Sequence, residues 1–84
     1  KIQRIRLKVS SRQTNYLRDL PLHESQQEIY CSETHSIFEF MLRPTFDFQQ
    51  EILSNGEDVE VLEPLWLRKE IAGKIKRMWN QYNK

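Results

Sequence analysis

The segment Arg4-Ile5-Arg6-Leu7-Lys8-Val9 alternates basic and apolar side chains without interruption. A period of two belongs to a β-strand with one buried and one open face. Ile5, Leu7 and Val9 then point to a core, and Arg4, Arg6 and Lys8 project from the other side. Ser10 and Ser11 offer an N-cap at the end of this strand. Arg12 to Leu20 reads as a short helix with Tyr16, Leu17 and Leu20 inward. Pro21 stops it, because proline disfavours helical geometry in the residue before it.

Gln26 to Ser32 is a weaker strand pattern, with Cys31 on its inward side. A polar turn around Thr34-His35-Ser36 leads to Ile37–Arg43. There Phe38, Phe40 and Leu42 share one face and Ile37, Glu39, Met41 and Arg43 the other. Two strands joined by a short polar turn form a hairpin. Pro44-Thr45 ends the second strand and caps a helix that spaces Phe48, Ile52 and Leu53 for burial. Asn55-Gly56 closes that helix, since glycine takes the left-handed conformation a helix end often needs. Val59 to Leu62 is a short strand ended by Glu63-Pro64. Leu65 to Tyr82 is the longest helix, with an apolar stripe of Leu67, Ile71, Ile75, Met78, Trp79 and Tyr82. Trp79 is read as a core residue of that stripe.

The resulting order is βαββαβ followed by one more helix. This predicts an α+β fold of ferredoxin-like type: a four-stranded antiparallel sheet with both crossover helices on one face. The first strand is expected in the middle, between the third and fourth. The C-terminal helix is surplus to that core. Three placements are open to it: over the bare sheet face, beside the other helices, or against a partner.

At 84 residues the chain supports a single domain, 1–84, with a modest core. No apolar run approaches the ~20 residues of a membrane span, and no basic leader precedes an apolar stretch. The lone cysteine, Cys31, cannot form an internal disulfide, so a reducing, cytoplasmic setting is expected. With Lys1 in first position, the chain reads as part of a longer protein.

The net charge of +1 conceals three blocks. Residues 1–20 hold six cations against Asp19, giving +5. Residues 21–64 hold ten acids against Arg43, giving −9. Residues 65–84 hold six cations against Glu70, giving +5. Such segregation bears on partners and assembly, and its simplest resolution is mutual neutralisation on folding.

The run from Phe48 to Arg68, with Asn55-Gly56, Val59-Glu-Val-Leu-Glu-Pro64 and Leu67-Arg68, resembles the end of WYL-domain bacterial transcriptional regulators. Residues 51–68 are the sharpest part. Met78-Trp79-Asn80-Gln81-Tyr82 is similar to the family's last helix, and Ile5 to Val9 to the strand after its WYL barrel. The whole chain thus resembles the C-terminal extension of these regulators, the WCX domain. Trp66 and Tyr82 do not belong to the Trp-Tyr-Leu signature of the WYL domain itself. The resemblance implies a regulatory module in a dimeric transcription factor, contributing to dimerisation and effector sensing. It further implies an adjacent WYL domain, and DNA binding through a separate N-terminal winged helix.

Two groups of residues are candidates for contact with other molecules. Arg4, Arg6, Lys8 and Arg43 form a basic strip suited to phosphate groups of a nucleotide or single-stranded nucleic acid. The ordinary alternative is cross-strand pairing with Glu39 and Glu60. Outward Tyr30 adds one aromatic, short of a base-stacking platform. Trp66, Arg68, Lys69 and Arg77 are the interface candidates on the last helix; the alternatives are partial burial against the sheet edge for Trp66 and a solvated helix face for the cations. Cys31 and His35 lack the third orienting group of a nucleophilic site. With His23 they have no metal-ligand spacing, and there is no glycine-rich phosphate loop. No catalytic residue, cofactor or metal is expected. The leading expectation is a non-enzymatic regulatory and dimerisation module, without membrane contact. The alternative is nucleotide or nucleic-acid binding on the open sheet face.

Overall fold

The alternating segment forms β1 (Gln3–Ser10), in which Ile5, Leu7 and Val9 are wholly buried and Arg4 and Lys8 exposed. A computed structural model describes all 84 residues. The chain passes from β1 directly into α1 (Ser11–Asp19). The Ser10 hydroxyl accepts from the Gln13 amide at 3.3 Å and so caps the helix. Then come β2 (Gln27–Cys31), β3 (His35–Leu42), α2 (Phe46–Ser54), a 3-10 turn (Gly56–Asp58), β4 (Val59–Glu63) and α3 (Leu65–Tyr82). Thr45 caps α2 by accepting from the Phe48 amide, and Gly56 sits at φ +58, the left-handed region. The Glu63–Pro64 peptide is cis.

The four strands make one sheet in the order β2-β3-β1-β4, with every pairing antiparallel. β1 therefore lies between β3 and β4, as expected from the order of elements. The fold is α+β: one antiparallel sheet and three helices. A single core joins Ile5, Leu7 and Val9 to Phe38, Phe40 and Leu42 of β3 and to Val59 and Val61 of β4. Leu17 of α1, Phe48 and Ile52 of α2, and Leu67 and Ile71 of α3 complete it. The Phe40 and Phe48 rings meet edge-on, 5.5 Å between centroids. All three helices thus contribute to the same core, and α3 extends the helical layer beside β4 and α2.

Four details differ from the pattern reading. In α1 the buried face is Thr14 and Leu17, while Tyr16 and Leu20 are exposed. Tyr16 is turned about 100° from Leu17, and Leu20 lies past the last turn with non-helical angles. β3 begins at His35, so the turn is shorter than expected. Cys31 is exposed. It sits opposite Ser36, on the helix side of an edge strand all of whose residues are exposed, and a bulge between Glu28 and Tyr30 shifts the register there. Finally, Trp79 is 61% exposed and belongs to no core.

Candidate interaction surfaces

The open sheet face carries the basic strip, and most of that strip is already engaged. β1 places Arg4 opposite Met41 and Arg6 opposite Glu39. Arg6 Nε donates to Glu39 Oε2 at 2.9 Å, and Arg4 approaches the same oxygen at 4.0 Å. Glu63 lies 3.6 Å from Arg4 and 3.8 Å from Arg6. Two guanidiniums and two carboxylates thus form one partly buried network. Glu63 is the member that simple alternation misses, since Val59, Val61 and Glu63 would share the inward side. A register shift between Arg6 and Leu7 advances β4 by one extra residue, Leu62, and turns Glu63 to the open face.

Lys8 stands opposite Glu60 in the ladder, yet Glu60 takes Arg68 instead, at 2.6 Å. Arg68 also donates to the Val61 carbonyl at 2.7 Å, so its guanidinium is tied to β4. Lys8 has no ion-pair partner. Arg43 lies beyond the end of β3, outside the Arg4–Arg6 network. It lines a cleft of about 610 Å³ between the end of β3, the Leu22–Glu24 loop and α2. That cleft has Ile2, Leu22, Met41 and Phe48 as apolar walls and Glu24, Asp47 and Glu51 as acids. None of the three acids forms an ion pair.

Two further arginines pin α1 through ion pairs. Arg12 Nε donates to Asp58 at 2.6 Å, and the Ser10 hydroxyl donates to the same Asp58 oxygen at 2.8 Å. Together they hold the Asp58 carboxyl below its ordinary pKa, the Arg12 hydrogen bond contributing most. Arg18 grips Glu28 on β2. In all eight salt-bridge contacts, a cation of the first or last block meets an acid of the middle block. Folding thus resolves part of the charge segregation within one copy.

The last helix divides in two. Leu67 is 0% and Ile71 5% exposed, but Ile75 and Met78 are half-exposed and Tyr82 is 89% exposed. These residues follow one another on one stripe, so the helix continues an apolar face past the end of its own core. Ile75 and Met78 line, with Ile52 and Leu53 of α2, a shallow groove of about 290 Å³. Lys74 is held beside α2 by the Gln49 side chain at 3.0 Å, 5.5 Å above the Phe46 ring. Trp66 is half-covered, its indole N–H donating to Gln3 at 2.8 Å. Lys69 and Arg77 are exposed and form no ion pair. Of the interface candidates, Trp66 and Arg68 are thus occupied by contacts within the chain. Pattern reading missed the stronger feature, the exposed Trp79–Tyr82 end, because periodicity reports a face and not what lies against it.

No three His, Cys, Asp or Glu side chains converge as metal ligands, and no helix is long and apolar enough to cross a membrane. Cys31 and His35 do not meet: the thiol lies 3.5 Å from Arg18 Nη2, while His35 contacts Thr34 and Tyr30.

The α+β domain thus combines an internally paired sheet face with a half-covered terminal helix. The WCX domain family model matches residues 1–79, and the chain belongs to that family. WCX domains are regulatory modules associated with WYL-type transcriptional regulators, and the family is not a known enzyme family. Comparison with curated proteins gives no match.

Proposed function

We propose that this domain is a regulatory and dimerisation module of a WYL-type transcriptional regulator, contributing to assembly and effector response. The observation that carries the reading is the distal half of α3. It presents Ile75, Met78, Trp79 and Tyr82 to solvent as one continuous stripe on the helix whose Leu67 and Ile71 are buried. Tryptophan and tyrosine are the side chains most often central to binding interfaces. The β2-β3-β1-β4 order supports the ferredoxin-like reading of the module. In this scheme an effector acts by favouring one arrangement of the assembly over another, which alters the spacing of separate DNA-binding domains.

Nucleotide or single-stranded nucleic-acid binding on the open sheet face has less behind it. Arg4 and Arg6 already share Glu39 and Glu63, which leaves Lys8 as the free cation of that strand.

Sedimentation of the full-length regulator, with and without this domain, tests the assembly role. A concentration-dependent dimer that is lost on removing the domain is expected. A monomer at every salt concentration in both forms rules the role out.

A further inference from the structure

The bare end of α3 is flanked by cations. Lys74 and Lys76 lie on either side of Ile75, each turned about 100° from it around the helix. Neither takes part in an ion pair, although Lys74 also donates to Gln49 of its own chain. A surface that covers this end must therefore be apolar at its centre and acidic at its rim.

The same chain carries such a surface on the far side of α2. The cleft at the end of β3 has Ile2, Leu22, Met41 and Phe48 as walls. Its acids Glu24, Asp47 and Glu51 have no intramolecular partner, whereas six of the ten acids of the middle block are paired. Arg43 is the one cation on the cleft, which leaves it net negative. Its volume of about 610 Å³ admits large side chains.

We propose that the distal half of α3 docks into this cleft of a second copy of the chain. Trp79 and Tyr82 fill the apolar part, and Lys74 and Lys76 meet Asp47 and Glu51. The inference rests on the assembly role proposed above and names its two surfaces. Because helix and cleft are different patches, one contact alone would build open chains. Reciprocal docking of two copies closes the assembly as a two-fold dimer. Covering what remains exposed of Trp79 and Tyr82 on both copies removes on the order of 700 Å² from water.

The test uses the intact regulator in two charge-reversed forms. One carries D47K and E51K, the other K74E and K76E. Each alone is expected to self-associate at least tenfold more weakly than the parent. Mixing them restores both contacts, since a basic helix meets an acidic cleft in one direction and an acidic helix meets a basic cleft in the other. Carbodiimide cross-linking of mixed light and nitrogen-15-labelled parent protein supplies the direct readout. Peptides joining Lys74 or Lys76 to Asp47 or Glu51 should carry one light and one heavy half. Self-association without such mixed peptides, or no restoration on mixing two folded variants, overturns this docking while leaving an assembly role intact. The same peptides found only with matched halves place the helix against its own chain and also overturn it. Absence of any self-association in the parent removes both proposals.

Discussion

Arg18 and Glu28 form a two-pronged ion pair across the gap between α1 and the edge strand β2. Arg18 Nε donates to one carboxylate oxygen at 2.8 Å and Nη2 to the other at 2.7 Å. The buried Ser36 hydroxyl donates to Glu28 as well, at 3.1 Å. β2 has no buried residue of its own. This pair, rather than apolar burial, is what fastens the edge of the sheet to the helical layer.

The pair makes stability depend on pH in a definite direction. Glu28 is lowered from 4.5 to about 2, chiefly by the Arg18 hydrogen bond, with the Ser36 hydroxyl adding to it. A carboxyl whose folded pKa is depressed contributes stability that is fully present above its unfolded pKa. That contribution fades as pH falls from 4.5 through about 2. Replacing Arg18 with alanine removes the main cause. The variant should then be less stable than the parent at pH 7, and the gap between them should narrow by pH 3. Urea midpoints at the two pH values check this. Adding 1 M salt at pH 7 should also narrow the gap, because the guanidinium faces solvent.

Glu39 is the shared acceptor of the sheet-face network, and its side chain is only 20% exposed. Changing it to glutamine keeps the volume and removes the charge that holds Arg4 and Arg6 side by side. A loss of about 1 kcal/mol is expected at low salt, since charge-assisted hydrogen bonds with partial burial exceed ordinary surface pairs. Chemical denaturation measures it. An unchanged midpoint would mean that Glu63 alone neutralises the two arginines. Freed arginines are also better placed for phosphate, so the same variant should bind a short oligonucleotide more tightly than the parent at low salt.

The two glycines should respond in opposite directions. Gly73 lies inside α3, and a methyl group there meets nothing closer than Arg77 Nη1 at 3.4 Å, the end of a flexible side chain. Gly73→Ala should therefore stabilise the domain by about 0.5–1 kcal/mol through helix propensity. Gly56 has open space around it but a φ of +58. Gly56→Ala should destabilise by about 1 kcal/mol, from backbone geometry and not from a clash. Thermal melts of the two variants separate these causes.

Most of the architecture is legible in the chain because it rests on local rules. The alternation of Ile5, Leu7 and Val9, the Ser10 and Thr45 caps, the Pro21 stop and the Gly56 turn each act within a few residues. The site is less legible because it depends on relations across the sheet. Glu63 reaches Arg4 and Arg6 only through the extra residue at Leu62, which no periodicity announces. Glu60 abandons its ladder neighbour Lys8 for Arg68, a choice set by where α3 starts. Tyr16 and Trp79 show the same boundary from the other side. Both sit on apolar patterns, yet Tyr16 is turned about 100° from the buried Leu17, and the core ends before α3 does.

That unequal division of α3 gives the sharpest contrast in outcome. Leu67 is wholly buried among strands and helices. Truncating it to alanine should cost about 2–5 kcal/mol, the range for a large-to-small change in a packed core. For a domain of this size that is a substantial part of the whole stability. Trp79 is on the same helix three turns later, yet with nothing packed over most of its ring. Trp79→Ala should shift stability by no more than about 0.5 kcal/mol, as ordinary surface positions do. If α3 carries the assembly surface, Trp79→Ala should instead weaken self-association of the intact regulator while circular dichroism stays unchanged. Equal losses of stability for the two variants would show that the far end of the helix is part of the core after all, and would remove the basis for a docking role.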